Sequence, residues 1–125
     1  MALSSTPQAW TLEMPYGSLV DYLFTFSYPS TGTLFNISGM TWEYVVRATG
    51  TSGGSPLISV TTSANSQGVL TVTTAASTVQ LTLYPAATLS LATGQYAHSL
   101  WMNPGLTSAY TWLNGPLILN GNPQP

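Results

Sequence analysis

The stretch VQLTLYPAATLSLATGQYAHSLWM, residues 79–102, carries the pattern that decides the fold. Apolar and polar side chains alternate at its start, PAATLSLATG interrupts the alternation, and the alternation resumes from Tyr96 to Met102. Alternation with a period of two is typical of strands that bury one face. Pro85 at the first helical position and Gly94 beyond the end of the segment favour one helical turn near residues 85–91. Leu89 and Leu91 are expected to fold from this turn onto the core.

Short alternating segments of the same kind recur along the whole chain, and glycine, proline, asparagine and serine separate them. Strands are predicted over residues 8–14, 19–28, 41–48, 57–62, 70–73, 78–83, 95–102, 109–113 and 116–120. The segment 19–28 is the longest of them and is expected to be the main core strand. This pattern predicts an all-β fold, an antiparallel two-sheet β-sandwich of about eight strands. A closed barrel is the alternative, because alternation looks the same in both.

The chain is expected to form one domain over residues 1–125, with a short N-terminal arm and a Pro-rich C-terminal tail. Its charged residues make up 3% of the sequence, whereas soluble domains usually carry roughly 25%. With one arginine and no lysine, the chain cannot neutralise many phosphates, so neither nucleic acid nor an anionic membrane is an expected partner. No apolar run reaches the roughly 18 residues of a transmembrane helix.

Serine, threonine, asparagine and glutamine are left to solvate the surface. A nearly neutral surface lacks the repulsion that keeps proteins monomeric. We therefore expect other subunits, including copies of the chain itself in a homo-oligomer, to cover much of it. There is no cysteine, which excludes disulfides and thiolate chemistry.

Catalytic and metal-binding groups are scarce. A serine triad would need His98, Asp21 and a serine, but the chain has no G-x-S-x-G elbow. We therefore interpret His98 as a strand residue whose replacement by alanine costs little. The carboxylates Glu13, Asp21 and Glu43 lie on different predicted strands, which favours neither a glycosidase nor a metal site. No catalytic residue, metal ligand or cofactor is assigned, and the chain is predicted to be non-enzymatic.

Glu43 and Arg47 share one face of the predicted strand 41–48. At about 3.3 Å per residue they lie about 13 Å apart, so they are not expected to pair directly. Arg47 is expected to pair instead with Asp21 or with an acid of a neighbouring subunit.

Aromatic residues offer one alternative function. The four tryptophans and seven tyrosines could stack sugar rings, as in a carbohydrate-binding module. No polar cluster beside them suggests recognition of hydroxyl groups, so core and interface packing is the preferred interpretation, and a bound glycan is not favoured. Trp10, Leu12 and Trp112 are the candidate interface residues.

Three segments of the sequence also match the pattern of a known family. The matching residues are Ile37, Gly39, Thr41 and Arg47 in an early strand, Pro85, Ala87, Thr88, Leu91, Gly94 and Tyr96 in the turn, and Gly115, Leu117 and Leu119 in the closing strand. In this pattern the chain resembles a family of phage virion modules, small β-sandwich domains of tail, baseplate and fibre-attachment proteins. An aspartate that commonly follows the turn tyrosine in the family is missing here, where Ser99 and Leu100 stand.

The resemblance implies a non-enzymatic structural protein of a tailed phage, made in the host cytoplasm and located in the virion. Its expected role is a tail or baseplate adaptor that binds other virion proteins and holds fibres or receptor-binding proteins. A capsid decoration protein that clamps neighbouring shell subunits is the alternative within this class, and a carbohydrate-binding module is the alternative from another class.

Overall fold

The computed structural model describes residues 8–28, 31–50 and 55–121 as two β-sheets that pack around one apolar core. This confirms the predicted all-β, sandwich-like fold. The strands are β1 Gln8–Ala9, β2 Leu12–Pro15, β3 Val20–Thr25, β4 Trp42–Ala48, β5 Ile58–Thr61, β6 Gly68–Thr73, β7 Thr78–Leu83, β8 Gly94–Met102 and β9 Tyr110–Asn120. A 3₁₀ turn at Thr74–Ala76 and a helical turn, α1, at Ala86–Leu89 complete the described elements.

The larger sheet has the strand order β1-β9-β8-β4-β5, and β2 also pairs with β9. β8 pairs antiparallel with β9 and with β4, and β4 pairs antiparallel with β5, whereas β1 and β2 lie parallel to β9. The beginning and the end of the described chain therefore meet along the same strand. This parallel pairing was not part of the predicted antiparallel arrangement.

The smaller sheet is antiparallel and has the order β3-β7-β6. Its inner face contributes apolar side chains such as Phe24, Leu70 and Leu81 to the core. The larger sheet faces them with Tyr44 and Leu100, both fully buried. The alternation of each strand thus supplies one face to the core and leaves the other face outside.

Two strand predictions are wrong. Segment 19–28 forms only the six-residue β3 at one edge of the smaller sheet, where Tyr22 and Leu23 are 42% and 58% exposed. The longest described strand is instead the eleven-residue β9. It runs through Gly115 and Pro116, where a turn between two strands was expected, because both residues keep their register with β8.

The helical turn predicted near residues 85–91 is confirmed as α1. Leu91 packs partly buried against the core, as expected. Leu89, however, is 58% exposed, and its expected place in the core was wrong. In a single helical turn, Ala87 and Thr88 already occupy the inward positions, so Leu89 points outward. The predicted N-terminal arm and Pro-rich tail fall largely on residues 1–7 and 122–125, outside the described residues.

Candidate functional site

His98 lies on the inner face of β8 and is only 2% exposed. Its Nε2 atom is 2.8 Å from the backbone oxygen of Trp10, and its Nδ1 atom is 2.8 Å from the hydroxyl oxygen of Tyr44. The Trp10 ring stacks on the imidazole with 4.5 Å between centroids. The imidazole therefore joins three separate parts of the chain: the segment between β1 and β2, the strand β4 and its own strand β8.

The hydrogen bonds of His98 define its protonation state. The carbonyl oxygen of Trp10 can only accept, so Nε2–H donates to it, and Nδ1 of the neutral ring accepts from the hydroxyl of Tyr44. Burial lowers the pKa of His98, and the hydrogen bond to the Trp10 carbonyl offsets part of that effect. Burial also raises the pKa of Tyr44 well above its usual range. Both groups are neutral, which suits a structural link between the three parts of the chain.

A glycine makes room for this link. The parallel register places Trp10 opposite Gly115, since Ala9 pairs with Asn114 and Leu12 pairs with Leu117. A Cβ atom at Gly115 would collide with the carbonyl oxygen of Trp10. Gly115 is also the strand neighbour of His98. The missing side chain thus lets the Trp10 carbonyl approach the imidazole.

The interpretation of His98 as a strand residue is correct, but the expectation that its replacement costs little is not supported. Its removal would leave the buried hydroxyl of Tyr44 and the carbonyl of Trp10 without this partner. Unsatisfied buried polar groups cost about 1–3 kcal/mol each. His98 is therefore a stabilising residue of the core.

The outer face of the larger sheet contains a groove of about 420 Å³. It runs across β4, β8 and β9 and is closed at one side by the loop that follows β8. The polar and aromatic residues that line it are Glu43, Arg47, His98, Ser99, Trp101, Thr111 and Asn114. The lining contains Glu43 and Arg47, two of the four charged residues of the chain.

Strand register explains how these side chains come together. Trp101 on β8 lies between Glu43 on β4 and Thr111 on β9, and Ser99 lies between Val45 and Asn114. The register between β8 and β9 shifts between Leu100 and Trp101, as in a β-bulge. Bulges commonly turn a side chain towards a functional site.

Hydrogen bonds hold two of the lining side chains in place. The indole nitrogen of Trp101 donates to Ser99 Oγ at 3.0 Å, and the Ser59 hydroxyl donates to Glu43 Oε2 at 2.7 Å. Trp10, Trp42 and Trp112 all pack against other rings, but Trp101 has no aromatic partner among the described residues. Sequence reasoning missed this polar cluster beside a tryptophan, because the cluster forms only when three strands align.

The outer face of the smaller sheet is almost uncharged. We call it the threonine face, after Thr25, Thr71, Thr73, Thr78 and Thr82, which the register brings onto one side of the sheet together with Leu23 and Gln80. Its one charged group is Asp21, whose carboxylate accepts a hydrogen bond of 2.7 Å from the Thr82 hydroxyl. Such a face offers hydroxyl groups and apolar area to a partner.

The predicted interface residues occupy different environments. Trp10 and Leu12 are partly buried against the core, and Trp10 also lines a depression of about 240 Å³ beside Tyr22. Trp112 is 1% exposed, and its ring packs against Phe26 at a centroid distance of 4.7 Å. Trp112 therefore fills the core and presents no surface to a partner, which corrects its assignment as an interface residue.

Within the described ranges, no three His, Cys, Asp or Glu side chains form a group that could hold a metal ion. The same ranges contain no helix with the length and hydropathy to cross a bilayer.

Comparison with known proteins leaves the family open. No protein-family model matches the sequence, and no curated protein gives a significant match. The resemblance to phage virion modules therefore stays a prediction.

Proposed function

We propose that the chain is a non-enzymatic structural protein of a tailed-phage virion, in which it serves as a tail or baseplate adaptor for fibres or receptor-binding proteins. The observation that carries this proposal is the threonine face, a nearly uncharged side of the smaller sheet. The resemblance of the turn and the closing strand to phage virion modules supports a phage particle as the assembly to which the chain belongs.

The threonine face suits contacts between subunits. Hydroxyl groups donate and accept hydrogen bonds, and threonine methyl groups add apolar area, so a complementary sheet or loop can pack without desolvating ions. Electrostatic steering contributes little to such a contact, and added salt should weaken it little. The low charge of the whole chain, 3%, agrees with this type of docking.

The strand β3 extends the threonine face to an edge. Within the described ranges β3 pairs only with β7, and Leu23 on its outer side is 58% exposed. An exposed edge strand can accept a strand from a neighbouring subunit. Leu23 would then lie at the centre of the contact with the next virion protein.

A capsid decoration protein would use the same chemistry, because it also clamps neighbouring subunits through an uncharged face. The two roles differ in the place and number of copies on the particle. A ring of few copies belongs to a tail or baseplate, whereas many copies over the shell belong to decoration.

The test replaces Leu23 by aspartate in the phage that encodes this chain, and purifies particles in low and in high NaCl. The matched control is Leu106→Asp, since Leu106 is 57% exposed and lies in the loop between β8 and β9, away from the threonine face. Circular dichroism of both isolated variants verifies that they fold.

We expect the wild-type chain and Leu106→Asp to stay with the particle at both salt concentrations. We expect Leu23→Asp to be lost, because a buried carboxylate without a partner opposes docking. Release of the wild-type chain by moderate NaCl, or equal retention of both variants, would contradict docking through the threonine face.

A further inference from the structure

We propose that the groove on the outer face of the larger sheet binds a neutral saccharide, with one pyranose ring stacked on Trp101. This ligand site goes beyond the structural role proposed above, and it lies on the other sheet from the threonine face. The proposal rests on the position of one partly exposed tryptophan, Trp101, beside polar groups from three strands.

Trp101 has the properties of a stacking platform. Its indole N–H donates to Ser99 Oγ, which fixes the ring orientation, and no other aromatic ring covers it among the described residues. The face of an aromatic ring carries negative potential, and the C–H hydrogens on one face of a pyranose carry partial positive charge. A sugar ring can therefore lie on the indole without competing for its N–H group.

The groups around Trp101 suit hydroxyl recognition. Glu43, the direct strand partner of Trp101, lines the groove and uses one carboxylate oxygen to accept from Ser59. Arg47 lines the same groove on the same strand. A carboxylate accepts and a guanidinium donates strong hydrogen bonds. Since the two residues lie about 13 Å apart along the strand, they can bind hydroxyl groups at separate positions along one ligand. Thr111 and Asn114 add groups that both donate and accept.

Charge and size narrow the ligand class. One carboxylate and one guanidinium balance each other, so the groove offers no net attraction to an acidic or a basic ligand. Its volume of about 420 Å³ falls in the range of about 300–1,000 Å³ that is typical of small-molecule sites. The strand floor contributes small side chains at Ala97 and Ser99, which leaves space above the sheet. A neutral sugar of one to three rings fits these conditions.

The test is a titration of the full ¹⁵N-labelled chain with lactose, maltotriose and chitotriose, followed by NMR. These probes cover galactose, glucose and N-acetylglucosamine rings. We expect at least one to shift the indole N–H signal of Trp101 and the amide signals of β4 and β8 saturably, with a Kd on the order of 1 mM. Trp101→Ala should weaken that binding about tenfold or more.

Two further variants test whether the sugar binds in the groove. Glu43→Gln retains the shape of the groove and should weaken binding severalfold, whereas Tyr28→Ala removes an exposed aromatic ring outside the groove and should leave binding unchanged. If Trp101→Ala does not fold, Trp101→Phe serves in its place. Absence of saturable shifts with all three sugars, shifts outside the groove, or equal binding by wild type and both groove variants would overturn the proposal.

Discussion

On the inner face of β8, His98 is 2% exposed and both of its ring nitrogens are hydrogen-bonded, whereas on the outer face Trp101 and Ser99 border an open groove. Both faces belong to the nine-residue strand β8, in which successive side chains point to opposite faces. On the inside, an aromatic polar residue fixes the N-terminal segment to the sheet. On the outside, the indole of Trp101 keeps a ring surface available.

The difference shows that burial and satisfied hydrogen bonds decide what a polar residue can do. His98 has the chemistry of a catalyst, but neither of its nitrogens is available to a substrate. Glu43 and Arg47 line the groove beside Trp101, and this position makes them candidates for binding. Changes on the inner face should therefore affect stability, and changes on the outer face should affect binding.

The largest effect is expected from His98→Ala. The substitution opens a cavity and leaves the Tyr44 hydroxyl and the Trp10 carbonyl without this partner, so we expect a loss of about 4 kcal/mol in the free energy of unfolding. Urea unfolding measures the loss. Trp101→Ala on the outer face of the same strand is the control and should cost less. A loss below about 1 kcal/mol for His98→Ala would contradict the role of the imidazole in the core.

A smaller effect is expected from Gly115→Ala. The new Cβ atom would collide with the Trp10 carbonyl, so the N-terminal segment must move away from β9. Gly94→Ala is the matched control, because Gly94 has a φ angle of 144°, close to the 157° of Gly115, and a Cβ atom added at Gly94 would meet nothing within 4 Å.

We expect Gly115→Ala to lose about 2 kcal/mol more than Gly94→Ala in the free energy of unfolding. Hydrogen exchange should also show loss of protection for the amide of Trp10, which donates to the Asn114 carbonyl. Equal losses in the two variants would mean that the close approach of Trp10 to β9 contributes nothing to stability.

The smallest effect is a dependence of stability on pH. Burial holds the pKa of His98 below its ordinary value of about 6.5 in the folded protein. As the pH falls below that value, the unfolded chain binds a proton that the folded chain does not, so stability declines until the pH reaches the lower folded pKa.

Thermal unfolding of the wild type and of His98→Gln, compared in this pH window, isolates the contribution of the imidazole. His98 is the only histidine of the chain, so the variant should lose this part of the pH dependence. The assigned effect of His98 is contradicted if the wild type gains stability on acidification. It is also contradicted if the stability of His98→Gln changes with pH as steeply as that of the wild type.

Local patterns in the sequence predicted the strands and the helical turn of residues 79–102 well. The alternation places His98, Leu100 and Met102 on one face of β8, and all three are buried. The same pattern failed at residues 109–120, since a Gly-Pro pair that usually ends a strand is held extended by its pairing with β8, while β1 and β2 pair with the residues before and after it. Pairing between distant strands overrides local turn preferences.

The candidate sites depend on contacts that no local pattern contains. The hydrogen bond from His98 to Trp10 joins residues that are 88 positions apart. The shared face of Glu43 and Arg47 could be predicted from alternation, but their position beside Trp101 follows from the register between β4 and β8. One sequence by itself offers no covariation from which to infer that register.

Cryo-electron microscopy of intact particles produced from the genome that encodes this chain tests the proposed virion function most directly. We expect density for the two-sheet fold at the tail or baseplate, in a small symmetric ring, with the threonine face against a neighbouring subunit. Density in many copies over the capsid would show that the chain is a decoration protein and not an adaptor, and its structural role in the virion would stand. Absence of the chain from the particle would contradict the virion function.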